Sequence, residues 1–499
     1  MHHLSKSKYT AVWQCPKMAW LRKYMTDAAK PSASAEESMQ RGREVGALAR
    51  GLFGDYVDVT VTGENGCPDL SLMMKRTADQ IRRGTAVICE AAFEYNGLYC
   101  AVDILRREGD GYAIYEVKSS TSADKEIYAA DLAYQKYVLS HAGVVIQGTY
   151  LVSLNSSYVR NGALELDKLF KITDLSDSVH EQESAIVDNL LVAQTVLSSS
   201  AEPSVNLSLA CNNPYLCSFF CHCTKHLPSP SIFDIRGLHF KEKLKLYRDG
   251  ICSFEAADAS GRIKNAKQKQ QVRSYLGKEE DRVDVAAIRA FLSGLSYPLY
   301  FLDFETMLPA IPIYDGTHPY QMIPFQYSLH YVEQEGGELM HTEFLGEPEV
   351  DPRRALAEQL CRDIPMGVCV TAYNKGFECT RLTELADTFP DLAEHLKNIR
   401  DNVIDLCTPF QKGYYYTRAM EGSYSIKYVL PALYPDSPEL NYHNLEGVHN
   451  GGVAMALFPR LSDLPPEERR QARHNLLKYC ELDTLAMVRV YEALLRAIE

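Results

Sequence analysis

The chain has 499 residues, which at roughly 150 residues per domain predicts about three domains. Its composition, 46% hydrophobic and 23% charged, is typical of soluble globular proteins and excludes disordered, collagen-like and coiled-coil chains. No stretch approaches the ~18 apolar residues of a membrane span, and the first residues carry no secretory signal. We therefore expect a cytoplasmic protein without a membrane partner. The net charge of -13 argues against a non-specific nucleic-acid coat protein, whereas enzymes that hold divalent metals with carboxylates can be acidic.

Three regions differ in composition and in hydropathy pattern. They predict three domains, at residues 1–230, 231–295 and 296–499. The first begins and ends with cysteines and contains both helical and strand patterns. A Pro/Ser stretch separates it from the second, which is helical and is interpreted as a connector. In the third, apolar strand-like runs alternate with helical patterns, so the predicted fold class is α/β.

The first region contains acidic and basic residues on two predicted strands. A helical pattern at 41–53 precedes the strands, and a helix around 131–141 follows them. Asp103 lies on the first strand, while Glu116 and Lys118 are two residues apart on the second and therefore share a face. Two carboxylates can hold Mg²⁺ or Mn²⁺, and an ammonium group can stabilise charge on phosphate. From Glu-x-Lys alone, a surface salt bridge on a hairpin is the better interpretation.

The order of strand, turn, strand and helix around these residues resembles the PD-(D/E)XK nucleases of the RecB and AddB type, which include CRISPR-associated adaptation nucleases. The resemblance implies a restriction-endonuclease-like fold. It further implies that Asp103 and Glu116 bind Mg²⁺ or Mn²⁺ and that Lys118 is catalytic. Gln135 and Tyr137 then lie on a helix that orients the substrate.

The first helix departs from that family. Its members place a histidine after a glycine in this helix, and here the corresponding position is Gly46. Glu44 cannot replace it, because a shift of two residues turns roughly 200° around a helix. Glu90 and Glu94 are the alternative third ligands.

A set of cysteines brackets this region: Cys15, Cys211, Cys217 and Cys223. Three of them lie close together in a segment that contains Pro and Asn, and such a spacing is not expected of cysteines that are only buried in a core. Four thiolates suit zinc, with His222 as a further ligand, or a [4Fe–4S] cluster. One cysteine before the core and three after it resemble the iron–sulfur site of the same nuclease branch, which implies a [4Fe–4S] cluster with a structural role. Cys221 is the alternative to Cys223.

The third region contains carboxylates at the ends of predicted apolar strands. The strand at 298–305 ends with Asp303 and Glu305, which share a face. Two same-face acids at the end of a buried strand are costly unless a metal neutralises them. A second strand, at 368–374, leads into a helix that carries Glu378.

Near the C-terminus, Tyr479 and Asp483 are four residues apart on a predicted helix and share a face. Together these motifs resemble the DEDD 3′–5′ exonucleases of the DnaQ-like superfamily, in the tyrosine subclass, and imply an RNase H-like fold. The implied ligands of two metal ions are Asp303, Glu305, Glu378 and Asp483. Tyr479 is implied to orient the attacking water. Most of these relatives have aspartate where this chain has Glu378.

Two further features of this region are less specific. Asp405 is a weaker ligand candidate and better interpreted as a structural cap. The segment 422–427, which ends with Lys427, is a candidate for contact with phosphate.

The two modules in this order resemble a bacterial family in which both nucleases are fused. The predicted function is a metal-dependent nuclease with two phosphodiesterase sites, acting on single-stranded DNA or duplex ends in repair, recombination or phage defence. A helicase or a defence protein is the kind of partner implied. The alternatives are an RNA-processing exonuclease whose first domain is a nucleic-acid clamp, and a non-enzymatic, redox-sensitive DNA-binding scaffold.

Overall fold

The computed structural model of the chain describes residues 4–30, 33–64, 66–122, 125–213 and 216–499. The chain divides into two compact units. The first unit contains Met1–Lys225 and Pro309–Gln321, and the second unit contains His226–Leu308 and Met322–Glu499. The helices between residues 231 and 295, which the sequence predicts as a separate connector, are grouped with the second unit.

The first unit is built on a seven-stranded sheet. Its strands are β1 (Leu4–Ser5), β2 (Val57–Asp58), β3 (Val87–Tyr95), β4 (Leu98–Glu108), β5 (Gly111–Lys118), β6 (Ile146–Leu154) and β7 (Phe170–Asp174). Its helices are α1 (Lys6–Gln14), α2 (Pro16–Tyr24), α3 (Ala33–Ala49), α4 (Leu70–Arg82), α5 (Lys125–His141), α6 (Leu166–Leu169), α7 (Ser176–Ser198) and α8 (Phe220–Thr224). The strand order is β2-β3-β4-β5-β6-β7, and β1 pairs in parallel with β4.

Both faces of this sheet are covered. On one face, α1, α2, α5 and α7 pack over a core that includes Val102, Ile114 and Leu151. On the other face, α3 packs over Ile104 and Tyr115. Burial on both faces explains why β3 to β6 have near-continuous apolar sequences rather than a strict alternation.

The segment Pro309–Gln321 packs on the first unit although it follows a strand of the second unit in sequence. Ala310 is buried in the core beneath α3. The guanidinium group of Arg160 donates to the carbonyl oxygens of Pro312 and Ile313 at 3.1 and 2.8 Å. Hydropathy patterns do not predict that this segment belongs to the first unit, because its packing depends on contacts between residues that are distant in sequence.

The second unit contains a five-stranded sheet and a small two-stranded one. Its strands are β8 (Arg282–Val283), β9 (Leu299–Met307), β10 (Ile323–Val332), β11 (Leu339–Leu345), β12 (Cys369–Ala372), β13 (Val403–Asp405) and β14 (Tyr415–Tyr416). Its helices are α9 (Phe240–Arg248), α10 (Phe254–Ser260), α11 (Ala266–Tyr275), α12 (Val285–Leu292), α13 (Arg353–Asp363), α14 (Gly376–Thr388), α15 (Ala393–Asp401), α16 (Thr408–Gln411), α17 (Ile426–Leu433), α18 (Gly451–Leu457) and α19 (Pro466–Arg496).

Strand β9 is the centre of the larger sheet, whose order is β11-β10-β9-β12-β13. It pairs antiparallel with β10 and parallel with β12. Tyr300, Leu302 and Phe304 on one face of β9 pack in a core with α13, α14 and α15. Because side chains alternate along a strand, Asp303 and Glu305 lie on the opposite face. Helix α19 packs against β9 and β10.

The predicted α/β class is confirmed, and the strands and helices expected around the candidate residues form. The predicted helix at 41–53 ends earlier, since α3 stops at Ala49 and a 3₁₀ turn, Arg50–Phe53, follows. Gly54, with φ of +85°, ends this turn. Among the described residues, no helix has both the length and the apolarity needed to cross a bilayer.

Candidate functional site

The second unit carries a cluster of carboxylates. Asp303 and Glu305 project from β9, and Asp483 belongs to α19, which packs against that strand. One carboxylate oxygen of each residue lies within 4.8 Å of the other two. In the part of the chain that the structure describes, this is the one group of three or more potential metal ligands that meets so closely. Residues predicted from two separate motifs are therefore neighbours in space.

The electrostatics of this cluster show an excess of negative charge. Burial raises the pKa of Asp303 and Glu305 well above the ordinary values, and the charge of Asp483 raises both further. Burial also raises the pKa of Asp483 to about 6, against hydrogen bonds from Tyr442 and Tyr479 and the charge of Lys427. Carboxylates this close cannot all ionise in a buried site without a counter-cation. The cluster therefore suits a divalent cation.

Glu378 lies in the first turn of α14, where its charge contributes to the raised pKa of Asp303. It is 3% exposed, and its Oε2 atom has no hydrogen-bond partner. Burial raises the pKa of Glu378 to about 8. A buried carboxylate oxygen without a donor is rare and needs an explanation, which a metal ion would supply. Glu378 nevertheless stands outside the close group of three.

The turn that leads from β12 into α14 is held by Asp405. Its Oδ1 atom accepts hydrogen bonds from the backbone N–H groups of Asn374 and Cys407 at 2.9 and 3.0 Å. Asn374 has a φ of +66°, a left-handed conformation that asparagine tolerates. These hydrogen bonds agree with the interpretation of Asp405 as a structural cap of this turn, and the charge of Asp405 also contributes to the raised pKa of Glu378.

Two tyrosines lie beside Asp483. The hydroxyl of Tyr442 donates to Asp483 Oδ1 at 2.7 Å. The rings of Tyr442 and Tyr479 are 6.1 Å apart, and Tyr479 is 4% exposed. Burial, followed by the charge of Asp483, raises the pKa of Tyr479. Its hydroxyl therefore stays protonated at neutral pH and can donate a hydrogen bond.

Lys427 and Gly451 border the same cluster. The Lys427 ammonium lies 5.5 Å from the centre of the Tyr442 ring, and its charge limits the rise in the pKa of Glu305. A Cβ atom at Gly451 would lie 3.6 Å from Glu305 Oε2 and 4.0 Å from the Tyr479 hydroxyl. The absence of a side chain at residue 451 therefore leaves room beside the carboxylates and the tyrosine.

The first unit brings together Glu116, Lys118 and Gln135. Glu116 is 1% exposed. Its Oε1 atom accepts from Lys118 Nζ at 2.6 Å, and its Oε2 atom accepts from Gln135 Nε2 at 2.8 Å. Lys6, at the start of α1, donates to both oxygens at 2.8 and 2.9 Å, and Lys118 also donates to Asp131 at 3.1 Å. Although burial opposes ionisation, Lys118 and Lys6 hold the pKa of Glu116 below its ordinary value.

Asp103 lies on β4, next to the strand of Glu116. Burial and then the charge of Glu116 raise the pKa of Asp103 to about 7. Glu90 has a φ of +58° and accepts from Arg50 at 3.1 Å. Glu94 instead accepts a backbone hydrogen bond in the turn between β3 and β4, at 2.9 Å. Glu94 therefore has a structural hydrogen-bond partner and does not contact Asp103 or Glu116 through this interaction.

The four predicted cysteines line one small, mainly apolar cavity of the first unit: Cys15, Cys211, Cys217 and Cys223. Burial, opposed by the charge of Lys17, raises the pKa of Cys223 to about 11, and the three other cysteines contribute to this rise. Cys221 is exposed and is not part of the lining. His222 Nε2 lies 3.1 Å from a carboxylate oxygen of Glu202. The structure thus groups Cys223 rather than Cys221 with the others.

Comparison with known proteins finds a family similarity that lies mostly in the second unit and also includes the segment Pro309–Gln321 of the first. Residues 300–425 match a family described as "Domain of unknown function (DUF2779)". The matched segment includes Asp303, Glu305 and Glu378 and stops before Tyr479 and Asp483.

Three curated proteins are similar to larger parts of the chain. "Uncharacterized protein MG366 homolog" of Mycoplasma pneumoniae is 24% identical over 402 residues, which cover 71% of this chain and 60% of that protein. "Uncharacterized protein UU173" of Ureaplasma parvum is 29% identical over 234 residues, covering 41% and 32%. "Uncharacterized protein MG366" of Mycoplasma genitalium is 29% identical over 206 residues, covering 38% and 31%. The alignments thus span between about a third and three-fifths of these relatives' own lengths.

Sequence reasoning missed Lys6, Asp131 and Tyr442. Lys6 and Tyr442 lie far in sequence from the carboxylates that they contact, and neither belongs to a periodic pattern. Asp131 lies four residues before Gln135 on α5, so the helical period predicts that the two share a face. That signal is present in the sequence.

Proposed function

We propose that the second unit is a metal-dependent phosphodiesterase that removes nucleotides from the 3′ end of DNA. The observation that carries the proposal is the meeting of Asp303, Glu305 and Asp483 within 4.8 Å. A central strand and a C-terminal helix supply these residues, as the resemblance to DEDD exonucleases implies. The mixed sheet with β9 at its centre supports the RNase H-like fold that the same resemblance implies.

The donor set fits Mg²⁺ or Mn²⁺. Both ions favour carboxylate oxygens over nitrogen or sulfur ligands. Asp303, Glu305 and Asp483 would hold one ion, and Glu378, with its unpartnered Oε2 atom, would contribute to a second. Two such ions supply positive charge to the attacking and leaving oxygens of an in-line displacement at phosphorus.

Protein groups near the carboxylates have distinct roles in the proposed reaction. The Tyr479 hydroxyl, which stays protonated, donates a hydrogen bond that orients the attacking water. The Lys427 ammonium faces the same cluster and attracts the phosphate of the scissile nucleotide. Tyr442 acts through Asp483, whose carboxylate it holds by a hydrogen bond of 2.7 Å.

Cationic side chains on one helix of the second unit support an anionic polymer as substrate. Helix α11 carries Lys267, Lys269 and Arg273. The Lys267 ammonium lies 5.8 Å from the centre of the Tyr424 ring. Tyr424 is three residues before Lys427 in the sequence. Lysine and aromatic groups side by side are typical of surfaces that follow single-stranded nucleic acid.

The choice of DNA rests on the resemblance of the first unit to nucleases that act mainly on DNA. RNA processing and a non-catalytic scaffold are the competing functions, and one assay distinguishes them. Single strands of DNA and RNA with one sequence and a 5′ label are incubated with the full-length protein and Mg²⁺ or Mn²⁺. We expect a ladder of DNA that shortens from the 3′ end and that Asp303→Ala abolishes. Ladders from RNA alone would favour RNA processing, and intact substrates with both metals would refute the proposal.

We also propose a [4Fe–4S] cluster in the first unit, held by the four cysteines that line its cavity. In a zinc site with Zn–S bonds of about 2.3 Å, tetrahedral geometry places the sulfurs about 3.8 Å apart. Among the described residues, no three of the cysteine sulfurs all lie within 4.8 Å of one another. An iron–sulfur cluster spreads its thiolates more widely, because each binds a different iron. The contact of His222 with Glu202 gives this histidine a partner other than a metal.

Replacing Cys223 with alanine should therefore remove the cluster, whereas Cys221→Ala, a matched control two residues away, should retain it. Anaerobically purified wild-type protein should be brown, with absorption at about 400 nm from iron–thiolate charge transfer. Iron analysis of the two variants checks the assignment. Stoichiometric zinc without iron in the wild type would contradict it, as would equal iron in the Cys223→Ala protein.

A further inference from the structure

The carboxylates of the first unit are surrounded by ammonium and amide groups. Glu116 accepts four hydrogen bonds: two from Lys6, one from Lys118 and one from Gln135. A carboxylate has about four lone-pair positions, so these donors use the acceptor capacity of Glu116. A divalent cation needs the same lone pairs.

Lys6 reaches Glu116 from a firmly held backbone. The Leu4 N–H group donates to the Gly97 carbonyl at 2.8 Å, and β1 pairs in parallel with β4. The hydroxyl of Tyr134 donates to the Leu4 carbonyl. The side chain of Lys6 is 21% exposed, and its Nζ atom also lies 3.9 Å from an Asp131 oxygen. The local fold therefore places this ammonium at the carboxylates.

Apart from Glu116, the first unit offers few ligands for a metal ion at this position. Asp103 accepts a hydrogen bond from the Val117 N–H group at 2.7 Å through one of its oxygens. At Gly46, where the resembled family has a histidine, a Cβ atom would meet nothing within 4 Å. Glu90 is paired with Arg50. Within the described ranges, the carboxylates of the first unit form no group of three that meets within 4.8 Å.

We propose that the ammonium group of Lys6 takes the place of the divalent cation in the first unit. Asp103 and Glu116 then form part of a charge-compensated cluster with Lys6 and Lys118, and this unit binds no catalytic metal and cleaves no phosphodiester. The resemblance to PD-(D/E)XK nucleases would then describe its fold and its binding of DNA, and not a cleavage activity. This inference does not depend on the function proposed for the second unit.

The test measures Mn²⁺ binding to the full-length protein by electron paramagnetic resonance. The background is the double variant Asp303→Asn, Asp483→Asn, which removes two of the four carboxylate ligands proposed for the second unit. We expect the wild type to bind Mn²⁺ and the double variant to bind none above the non-specific level. Adding Lys6→Met, which keeps the apolar stem and removes the charge, should create one Mn²⁺ site. The matched control Lys6→Arg should not create it, and Asp103→Asn should abolish it.

Two results would overturn the inference. One is a Mn²⁺ site in the double variant that disappears with Asp103→Asn, since a metal would then bind while Lys6 is present. This arm needs no change at Lys6 and is decisive even if Lys6→Met fails to fold. The other is a folded Lys6→Met protein that gains no site. The number of Mn²⁺ ions bound per protein can be measured even if the wild type cleaves neither DNA nor RNA. Failure of the function proposed for the second unit is therefore distinguishable from failure of this inference.

Discussion

Alanine at Asp303 or at Asp483 should lower the rate of 3′-end hydrolysis by several orders of magnitude. Each residue supplies one of the three oxygens that meet within 4.8 Å, so its loss leaves too few ligands for the ion that stabilises the reacting oxygens. Single-turnover rates with 5′-labelled DNA at saturating Mg²⁺ measure the effect. Because both changes disable one centre, the double variant should be no slower than the slower single variant.

The conservative change Asp303→Asn separates loss of chemistry from loss of folding. The folded-state pKa of Asp303 is raised, so the native protein binds more protons than the unfolded chain, and this group destabilises the protein as the pH rises. Asparagine at residue 303 removes the negative charge of the carboxylate and therefore its repulsion with the Asp483 carboxylate. Without metal at pH 8, the inactive variant should therefore melt higher than the wild type, by about 2–4 °C for each 1 kcal/mol gained.

The pH and metal dependence of that difference provide the check. At pH 5, the difference in melting temperature should shrink, because Asp483 has a pKa of about 6 and Glu378 of about 8 and both are then largely neutral. Mn²⁺ at pH 8 should stabilise the wild type and not the variant. An Asp303→Ala protein that is folded and retains a tenth or more of the wild-type rate would contradict the assignment of this cluster as the reaction centre.

The elements that follow local rules are predictable from the sequence. Period-two alternation places Asp303 and Glu305 on one face of β9, and the helical period places Tyr479 and Asp483 on one face of α19. Both expectations depend only on residues that are close in sequence. That β9 and α19 then meet is an expectation from the resemblance to DEDD exonucleases and not from either local pattern. The α/β class therefore follows from local patterns alone.

Contacts between distant segments are not predictable in the same way. Lys6 reaches Glu116 because β1 pairs with β4, and a two-residue strand has no hydropathy signature. Tyr442 lies in a segment of short 3₁₀ turns, where periodicity is lost. The assignment of Pro309–Gln321 to the first unit has the same origin, because Ala310 has its core partners more than 100 residues away in sequence. Long-range pairing of short segments is thus the information that local patterns lack.

Removal of the Tyr479 hydroxyl should reduce hydrolysis by about 10²- to 10⁴-fold, less than the loss of a metal ligand, because Tyr479→Phe keeps all four carboxylates and removes only a hydroxyl that hydrogen-bonds Asp483 and is proposed to orient the attacking water. The effect should fall mainly on the maximal rate at saturating Mn²⁺, and the Mn²⁺ concentration that gives half of that rate should rise less than in Tyr442→Phe, because Tyr442 makes the stronger hydrogen bond to Asp483. Single-turnover rates across a Mn²⁺ titration separate the two quantities.

Tyr442→Phe is the matched control, since it removes a hydroxyl from the neighbouring ring without touching the position assigned to the attacking water. Its hydroxyl donates to Asp483, so this change should weaken the hold on a metal ligand and raise the Mn²⁺ requirement by about 10- to 100-fold. The maximal rate should recover at high Mn²⁺. The opposite pattern, in which Tyr479→Phe recovers with added Mn²⁺ and Tyr442→Phe does not, would exchange the roles of the two tyrosines. Equal loss in both that added metal does not restore would indicate that the pair only supports the packing of α19.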